Sequence, residues 1–197
     1  LIGVGLMGLG MALRLRDAGW PLAVRDLLPE REALAVAAGA VALPTPAAVG
    51  AASELLIVAV VDAAQTDELL FGTDGAAAAM APGACVMLCP TIGPGDVARI
   101  AQRLQAKGLA CIDAPMSGGP ARARDGSMSL MVACADAAFE RQRLVIEALS
   151  SAVFRLGPRL GDGARVKLVN NLLAGINLAG AAEALALAER AGLDASL

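Results

Sequence analysis

Leu1-Ile2-Gly3-Val4-Gly5-Leu6-Met7-Gly8-Leu9-Gly10-Met11-Ala12-Leu13 opens the chain, and the reading of its glycines decides the fold. Two explanations compete. In one, the glycines only close a tight, well-packed turn between an apolar strand and a helix. In the other, they let a phosphate lie against the backbone. Gly3-x-Gly5-x-x-Gly8 follows an apolar strand, Leu1–Val4, and opens a helix, Leu6–Ala18, which is the context a dinucleotide site needs. The first glycine permits the turn, the second the approach of a pyrophosphate, and the third close helix–strand packing. Free N–H groups and a partial positive charge at the helix start then face the phosphates. Asp26 adds a second part. It ends the next strand, 18 residues past Gly8, where a carboxylate accepts hydrogen bonds from both ribose hydroxyls. The stretch therefore predicts a dinucleotide site built from Gly3, Gly5, Leu6, Met7, Gly8 and Asp26. Asp26 also repels a 2′-phosphate, which favours NAD over NADP. Arg25 is the complication, because it can swing round to such a phosphate, and NADP stays possible.

The strand–helix alternation continues. Strands are predicted at Leu22–Asp26, Leu55–Val61, Ala84–Leu88, Ala110–Asp113, Met128–Ala133 and Ala152–Leu156, and helices at Pro29–Ala38, Asp67–Leu70, Gly95–Ala106 and Ala137–Leu149. Leu55–Val61 is apolar without alternation, as strands buried on both faces are. This rhythm predicts an α/β fold, a Rossmann-type doubly wound and mostly parallel sheet, over residues 1–160. Turn residues cluster at Gly157–Asp162. From Gly163 to Ala191 the rhythm gives way to one helix, apolar over most of its circumference and so expected to be buried between elements. It reads as the first helix of an all-α domain, 161–197, of which most is missing. Both ends read as cut: the first strand is short, and Asp194 looks like the N-cap of a helix that does not follow.

Composition removes several functions. No run of 18 uninterrupted apolar residues exists, which speaks against a membrane span. With net charge −3, three Phe, one Trp and no Tyr, no basic stacking surface for nucleic acid is expected. Histidine is absent, so Ser-His-Asp and Cys-His triads and His-rich metal sites are excluded, and no metal is expected. Cys85, Cys89, Cys111 and Cys134 lie in or beside apolar runs without a C-x-x-C pair, and read as buried reduced thiols of a cytoplasmic protein.

Four stretches together resemble the β-hydroxyacid dehydrogenases, the family of 3-hydroxyisobutyrate dehydrogenase and tartronate semialdehyde reductase. They are Gly3–Gly8 with Met11-Ala12; Pro90-Thr91-Ile92; Asp113-Ala114-Pro115-Met116-Ser117-Gly118-Gly119; and Gly163-Ala164-Arg165-Val166-Lys167-Leu168-Val169-Asn170-Asn171. The last is the most specific. The resemblance implies that Lys167 is the catalytic lysine, that Asn171 one turn later holds the substrate with Asn170 beside it, and that Ser117, Gly118 and Gly119 grip the substrate carboxylate. It places Thr91 beside the nicotinamide, and Val60 and Val61, with Gln65 after them, along the cofactor. The family usually has Leu-Pro where Val60-Val61 stands. A homo-oligomer formed through the helical domain is implied too. The 6-phosphogluconate enzymes normally carry His-Asn where this chain has Asn170-Asn171, and imine reductases usually replace the lysine.

The residues are compatible with these roles, and on their own they equally allow Lys167 as a lysine snorkelling at a helix start and Ser117–Gly119 as an ordinary loop. Lys167 and Asn171 are i, i+4 on one helix and share a face. Oxidising an alcohol needs a base for the hydroxyl proton, and without histidine a lysine is the natural candidate. Its ordinary pKa near 10.4 is too high; burial in an apolar pocket could lower it, and apolar Val166, Leu168, Val169 and Leu172 are expected to supply the setting. Glycines after Ser117 expose backbone N–H groups as a nest for a carboxylate. Arg122 and Arg124 come next. Their charge would help to attract an acid, but they read as solvated loop charges outside the site. Asp113 reads as the end of its strand and the organiser of that turn.

Overall fold

The computed structural model describes residues 1–194. The opening strand is reduced to its centre. Ile2 lies between two strands: its N–H donates to Ile57 O at 2.9 Å and its carbonyl accepts from Ala59 N at 2.8 Å, while Gly3 N donates to Arg25 O at 2.9 Å. Around it run β1 (Ala23–Val24), β2 (Val41–Ala42), β3 (Leu55–Val58), β4 (Cys85–Leu88) and β5 (Ala110–Asp113), in the order β2-β1-Ile2-β3-β4-β5, all parallel. The strands are shorter than predicted at β1 and β3, because their last residues turn into the loops above the sheet.

At Asp113 the sheet changes character. β5 pairs with β4 on one side, and its last residue bridges Ala133 on the other. β6 (Met116–Ser117) continues in the same antiparallel register against β7 (Met128–Val132), Met116 opposite Leu130 and Ser117 opposite Ser129. β5 and β6 are therefore one strand that changes partner. β8 (Ser150–Arg155) runs parallel to β7 at the outer edge.

Alternate residues of the parallel strands feed two cores, as the period of two requires. Ile57, Cys85, Met87 and Ile112 face one side, with α1 (Leu6–Asp17), α7 (Gly119–Asp125) and α8 (Asp136–Leu149). Leu56, Val58, Val86, Leu88 and Cys111 face the other, under α4 (Ala63–Phe71), α5 (Ala76–Ala79) and α6 (Pro94–Gln105). In α6, buried Val97, Ile100, Ala101 and Leu104 form an i, i+3, i+4, i+7 stripe. Val97, Ile100 and Leu104, fully buried, contribute roughly 1.5–3 kcal/mol each. Covered on both faces, the sheet is doubly wound as predicted. All four cysteines are free and buried, and burial pushes the Cys85 and Cys89 thiols up to about 12.

Several elements go beyond the sequence reading. α2 (Pro29–Ala37) was expected, but β2 and α3 (Pro46–Ala51) behind it were not. α4 is longer than the predicted Asp67–Leu70, since Asp62 caps it by accepting from Gln65 N at 2.8 Å. The Arg-rich segment after Ser117 is a helix, not a loop. α9 (Asp162–Arg190) has the predicted extent but not the predicted burial. Only Gly163, Ala164 and Lys167 of it are buried, and Leu168, Val169, Leu172, Leu173 and Ile176 stand exposed. Residues 1–161 cover one face of its first turns and nothing further along. By length and composition alone α9 would also suit a bilayer, which the count of uninterrupted apolar residues missed. Its first three turns, however, carry Lys167, Asn170 and Asn171, and the start of the helix is fixed to the sheet. The helix expected after Asp194 and the last three residues of the 161–197 unit lie outside the described residues.

Candidate active site

Parallel strands bring their carboxyl ends to one edge, and ligands of such sheets bind there. Five candidate segments meet this condition: Gly3–Gly8 after Ile2, Asp26 after β1, Val60–Val61 after β3, Thr91 after β4, and Ser117–Gly119 after the β5–β6 strand.

The three glycines of the first segment answer to different demands. Gly3 has φ +94°, and an added Cβ would lie 2.6 Å from Ala59 O and 3.1 Å from Val60 Cγ1. A Cβ on Gly8 would strike the carbonyl of Gly3. Packing explains both. Gly5 is different: its φ is −69°, and an added Cβ would meet only Arg31 Nη1, at 3.8 Å. Nothing among the described residues requires glycine there, whereas a pyrophosphate resting on the backbone would. The segment fits a dinucleotide. Gly5→Ala is accordingly expected to weaken NADH binding about tenfold or more, roughly 1.4 kcal/mol, with no loss of thermal midpoint. Gly3→Ala is expected to lower the midpoint. Calorimetric titration and thermal scanning of the two variants check this.

Asp26 is tied to the same turn. Its Oδ2 accepts from Val4 N at 2.5 Å and its Oδ1 from Leu28 N at 3.0 Å. Arg25 is not free to swing: its Nη1 pairs with Glu32 Oε1 at 2.7 Å and also donates to the Asp26 carbonyl. The cation beside the turn is Arg31, which makes no side-chain hydrogen bond or ion pair among the described residues. The sequence reading missed it, because its place beside Gly5 depends on how α2 packs. Gln65 Oε1 accepts from Val61 N at 3.2 Å and so shapes the loop after β3, where Val61 is exposed. Thr91 is exposed beside buried Pro90.

Lys167 is 9% exposed, and its ammonium has no ion pair or hydrogen bond among the described residues. Burial lowers its pKa from the ordinary lysine value. That burial arises where the start of α9 packs on β5, β7 and α6. It does not come from Val166, Leu168, Val169 and Leu172, which are exposed. Asn170 is half-buried, and Asn171, one turn past Lys167, is exposed.

Asp113 decides where α9 begins. Its carboxylate does not organise the Ser117 turn, as the sequence suggested, but reaches across to α9. Its Oδ2 accepts from Gly161 N at 2.9 Å and Ala164 N at 3.2 Å. Gly163 is held close by need: an added Cβ would lie 2.9 Å from the Asp113 carboxyl and 2.6 Å from Met131 O. Lys167 follows Ala164 by one turn, so the lysine is fixed to the end of the strand that continues into Ser117. At Gly118 and Gly119 φ is +137° and +77°, a backbone that side-chain-bearing residues rarely adopt.

Comparison with known proteins agrees with this geometry. Residues 1–157 match the family described as the NAD binding domain of 6-phosphogluconate dehydrogenase, and residues 161–197 that described as NAD-binding of NADP-dependent 3-hydroxyisobutyrate dehydrogenase. The crystal structure of 3-hydroxyisobutyrate dehydrogenase from Salmonella typhimurium superposes with a TM-score of 0.90 at 40% identity, covering 98% of this chain and 67% of that one. The chain belongs to the β-hydroxyacid dehydrogenase family. Among curated members, L-threonate dehydrogenase of Cupriavidus necator is 42% identical over 194 residues, covering 98% of this chain and 65% of that protein. The 2-hydroxy-3-oxopropionate reductase of Escherichia coli is 35% identical, with 98% and 65% covered. The chain thus spans about two-thirds of the length of these β-hydroxyacid dehydrogenases.

Proposed function

We propose that the protein is an NAD-dependent dehydrogenase of a small hydroxyl-bearing carboxylic acid, with Lys167 as its general acid and base. The observation that carries this reading is a buried lysine, unpaired among the described residues, on a helix anchored to the strand that leads into the Ser117–Gly119 turn. Bound NAD supplies the hydride acceptor. Gly3, Gly5, Leu6, Met7, Gly8, Asp26, Val60, Val61, Gln65 and Thr91 hold it at the carboxyl edge of the sheet, and Arg31 beside Gly5 leaves room for NADP. Ser117, Gly118, Gly119, Asn170 and Asn171 hold the acid. Lys167 Nζ takes the hydroxyl proton in oxidation and returns it in reduction. Its lowered pKa makes the neutral amine available nearer to neutral pH than an ordinary lysine allows.

The names of the relatives point to four-carbon sugar acids such as L-threonate ahead of 3-hydroxyisobutyrate or the tartronate semialdehyde–glycerate pair. Such a metabolic role suits the cytoplasm. The exposed apolar surface of α9 supports its being covered by further helices or by a second copy in a homo-oligomer. The deciding experiment offers L-threonate, glycerate and 3-hydroxyisobutyrate with NAD and with NADP to the full-length protein and follows reduced-cofactor absorbance. Turnover is expected with at least one acid and faster with NAD. No turnover with any hydroxyacid sinks the reading.

A further inference from the structure

Most arginines of this chain are committed. Arg25 is held by Glu32, Arg99 and Arg103 by Asp67, Arg124 by Asp17, Arg155 by Asp136, and Arg159 and Arg165 by Asp162. Arg14 and Arg141 cap backbone carbonyls. Arg31 and Arg122 make no side-chain hydrogen bond or ion pair among the described residues, and each stands at a glycine turn on the carboxyl edge of the sheet. Arg31 borders Gly5, in the cofactor segment; Arg122 borders Gly118.

We infer that Arg122 pairs with the carboxylate of the substrate at the Ser117–Gly119 turn and so sets the preference for an anionic substrate. This rests on the hydroxyacid reading above and adds to it the group that recognises the acid. α7 starts at Gly119, and side chains of a helix lean back toward its N-terminus. Arg122, one turn in, does so: an added Cβ on Gly118 would lie 2.8 Å from Arg122 Cδ and 2.9 Å from its Cβ. The aliphatic stem therefore lies along Gly118, in the space that a side chain there would fill. Arg122 is exposed, and its guanidinium makes no hydrogen bond or ion pair among the described residues. The neighbouring carboxylate, Asp125, feels the charge of Arg122 but forms no ion pair with it. Asp125, one turn further on α7, is engaged by Ser127, whose N–H and hydroxyl donate to Asp125 Oδ1 at 2.8 and 2.5 Å. Arg124, the other cation of α7, pairs with Asp17 at 2.5 Å and points to α1 instead. A guanidinium forks two parallel N–H groups onto a carboxylate, an arrangement a lysine cannot reproduce. The Ser117 hydroxyl, with no partner among the described residues, stands at the same turn.

The test uses full-length protein loaded with NADH and titrated calorimetrically with glycerate and with glyceramide, which differ chiefly in charge. Arg122→Ala is expected to weaken glycerate binding about 10- to 100-fold and to leave glyceramide binding unchanged. Arg122→Lys should recover only part of the loss, and the thermal midpoint should not move, since the side chain is exposed. In turnover the same variant should raise KM for the acid at constant kcat. Glycerate binding within twofold of wild type in Arg122→Ala, or an equal loss for both ligands, overturns the inference. So does a wild-type protein that binds glycerate no better than glyceramide. A wild type that binds glycerate selectively through Arg122 but reduces no cofactor refutes the dehydrogenase reading and leaves the role of the arginine standing.

Discussion

Lys167→Met is expected to lower turnover about 10²- to 10⁴-fold, the usual contribution of a positioned general acid or base. Methionine keeps most of the buried stem's volume and removes only the titrating group, so the fold should survive. Binding of NADH should be unchanged, because the cofactor segment lies on other elements. The pH profile adds a second readout. Burial disfavours the ammonium, so the amine is freed below the pH at which an exposed lysine would lose its proton. Oxidation should therefore rise with pH along an arm whose midpoint lies below the ordinary lysine value, and that arm should be absent from any residual activity of the variant. Turnover within tenfold of wild type would remove Lys167 from the chemistry.

A second large effect is expected from Asp113→Asn, in stability as a function of pH. Asp113 is 1% exposed, and burial raises its pKa to about 6 against the pull of the N–H groups of Ala164, Gly161 and Gly163. Asp162 adds a smaller push in the same direction, and the thiols of Cys89, Cys111 and Cys134 around it stay protonated. A carboxyl whose pKa is higher folded than unfolded stabilises the fold fully below its unfolded value near 3.9 and loses that contribution as pH rises through about 6. A shift of this size corresponds to about 3 kcal/mol. Wild-type unfolding free energy should thus carry a falling component between pH 4 and pH 7. Asparagine can place its amide oxygen where Oδ2 accepts both N–H groups, so the variant should fold and lose that component. Denaturant titrations at pH 4, 5, 6 and 7 compare the two proteins. An identical slope in the variant would assign the titration elsewhere. Asp67, Asp125 and Asp162, whose pKa values are lowered, act with the opposite sign and only at lower pH.

The doubly wound sheet was legible because its signals are local and repeated. Apolar runs such as Leu55–Val58 and Cys85–Leu88 are bounded by turn residues, and Gly3, Gly5 and Gly8 sit where a strand meets a helix. Lys167 became a candidate mainly through the resemblance carried by Gly163–Asn171, with the want of any histidine beside it. What escaped depended on tertiary placement. The burial of Lys167 comes from β5, β7 and α6, not from its apolar helix neighbours. Asp113 finds its partners 48 and 51 residues on, and nothing near it in sequence announces them. Arg31 is brought to Gly5 only by the packing of α2. For α3 and α7 a local signal existed: Thr45 caps Pro46–Ala51 by accepting from Ala48 N at 3.1 Å, and Pro120 and Gly126 bracket Gly119–Asp125. The charge of Pro-Ala-Arg-Ala-Arg-Asp hid that short helix among loop residues.

Gly10 ties the two glycine turns of the proposed site to each other. It lies on α1, and an added Cβ would come within 2.8 Å of Ala123 Cβ and 3.0 Å of Arg124 N on α7. The helix that starts at the Gly3–Gly8 turn and the helix that starts at the Ser117–Gly119 turn thus touch with less than a methyl group of slack. If the proposed sites hold, cofactor preference and acid recognition are not independent modules that can be exchanged between relatives one at a time. A loop grafted at either turn has to preserve the seating of α1 on α7, and changes that succeed at one turn should come with matched changes along this seam.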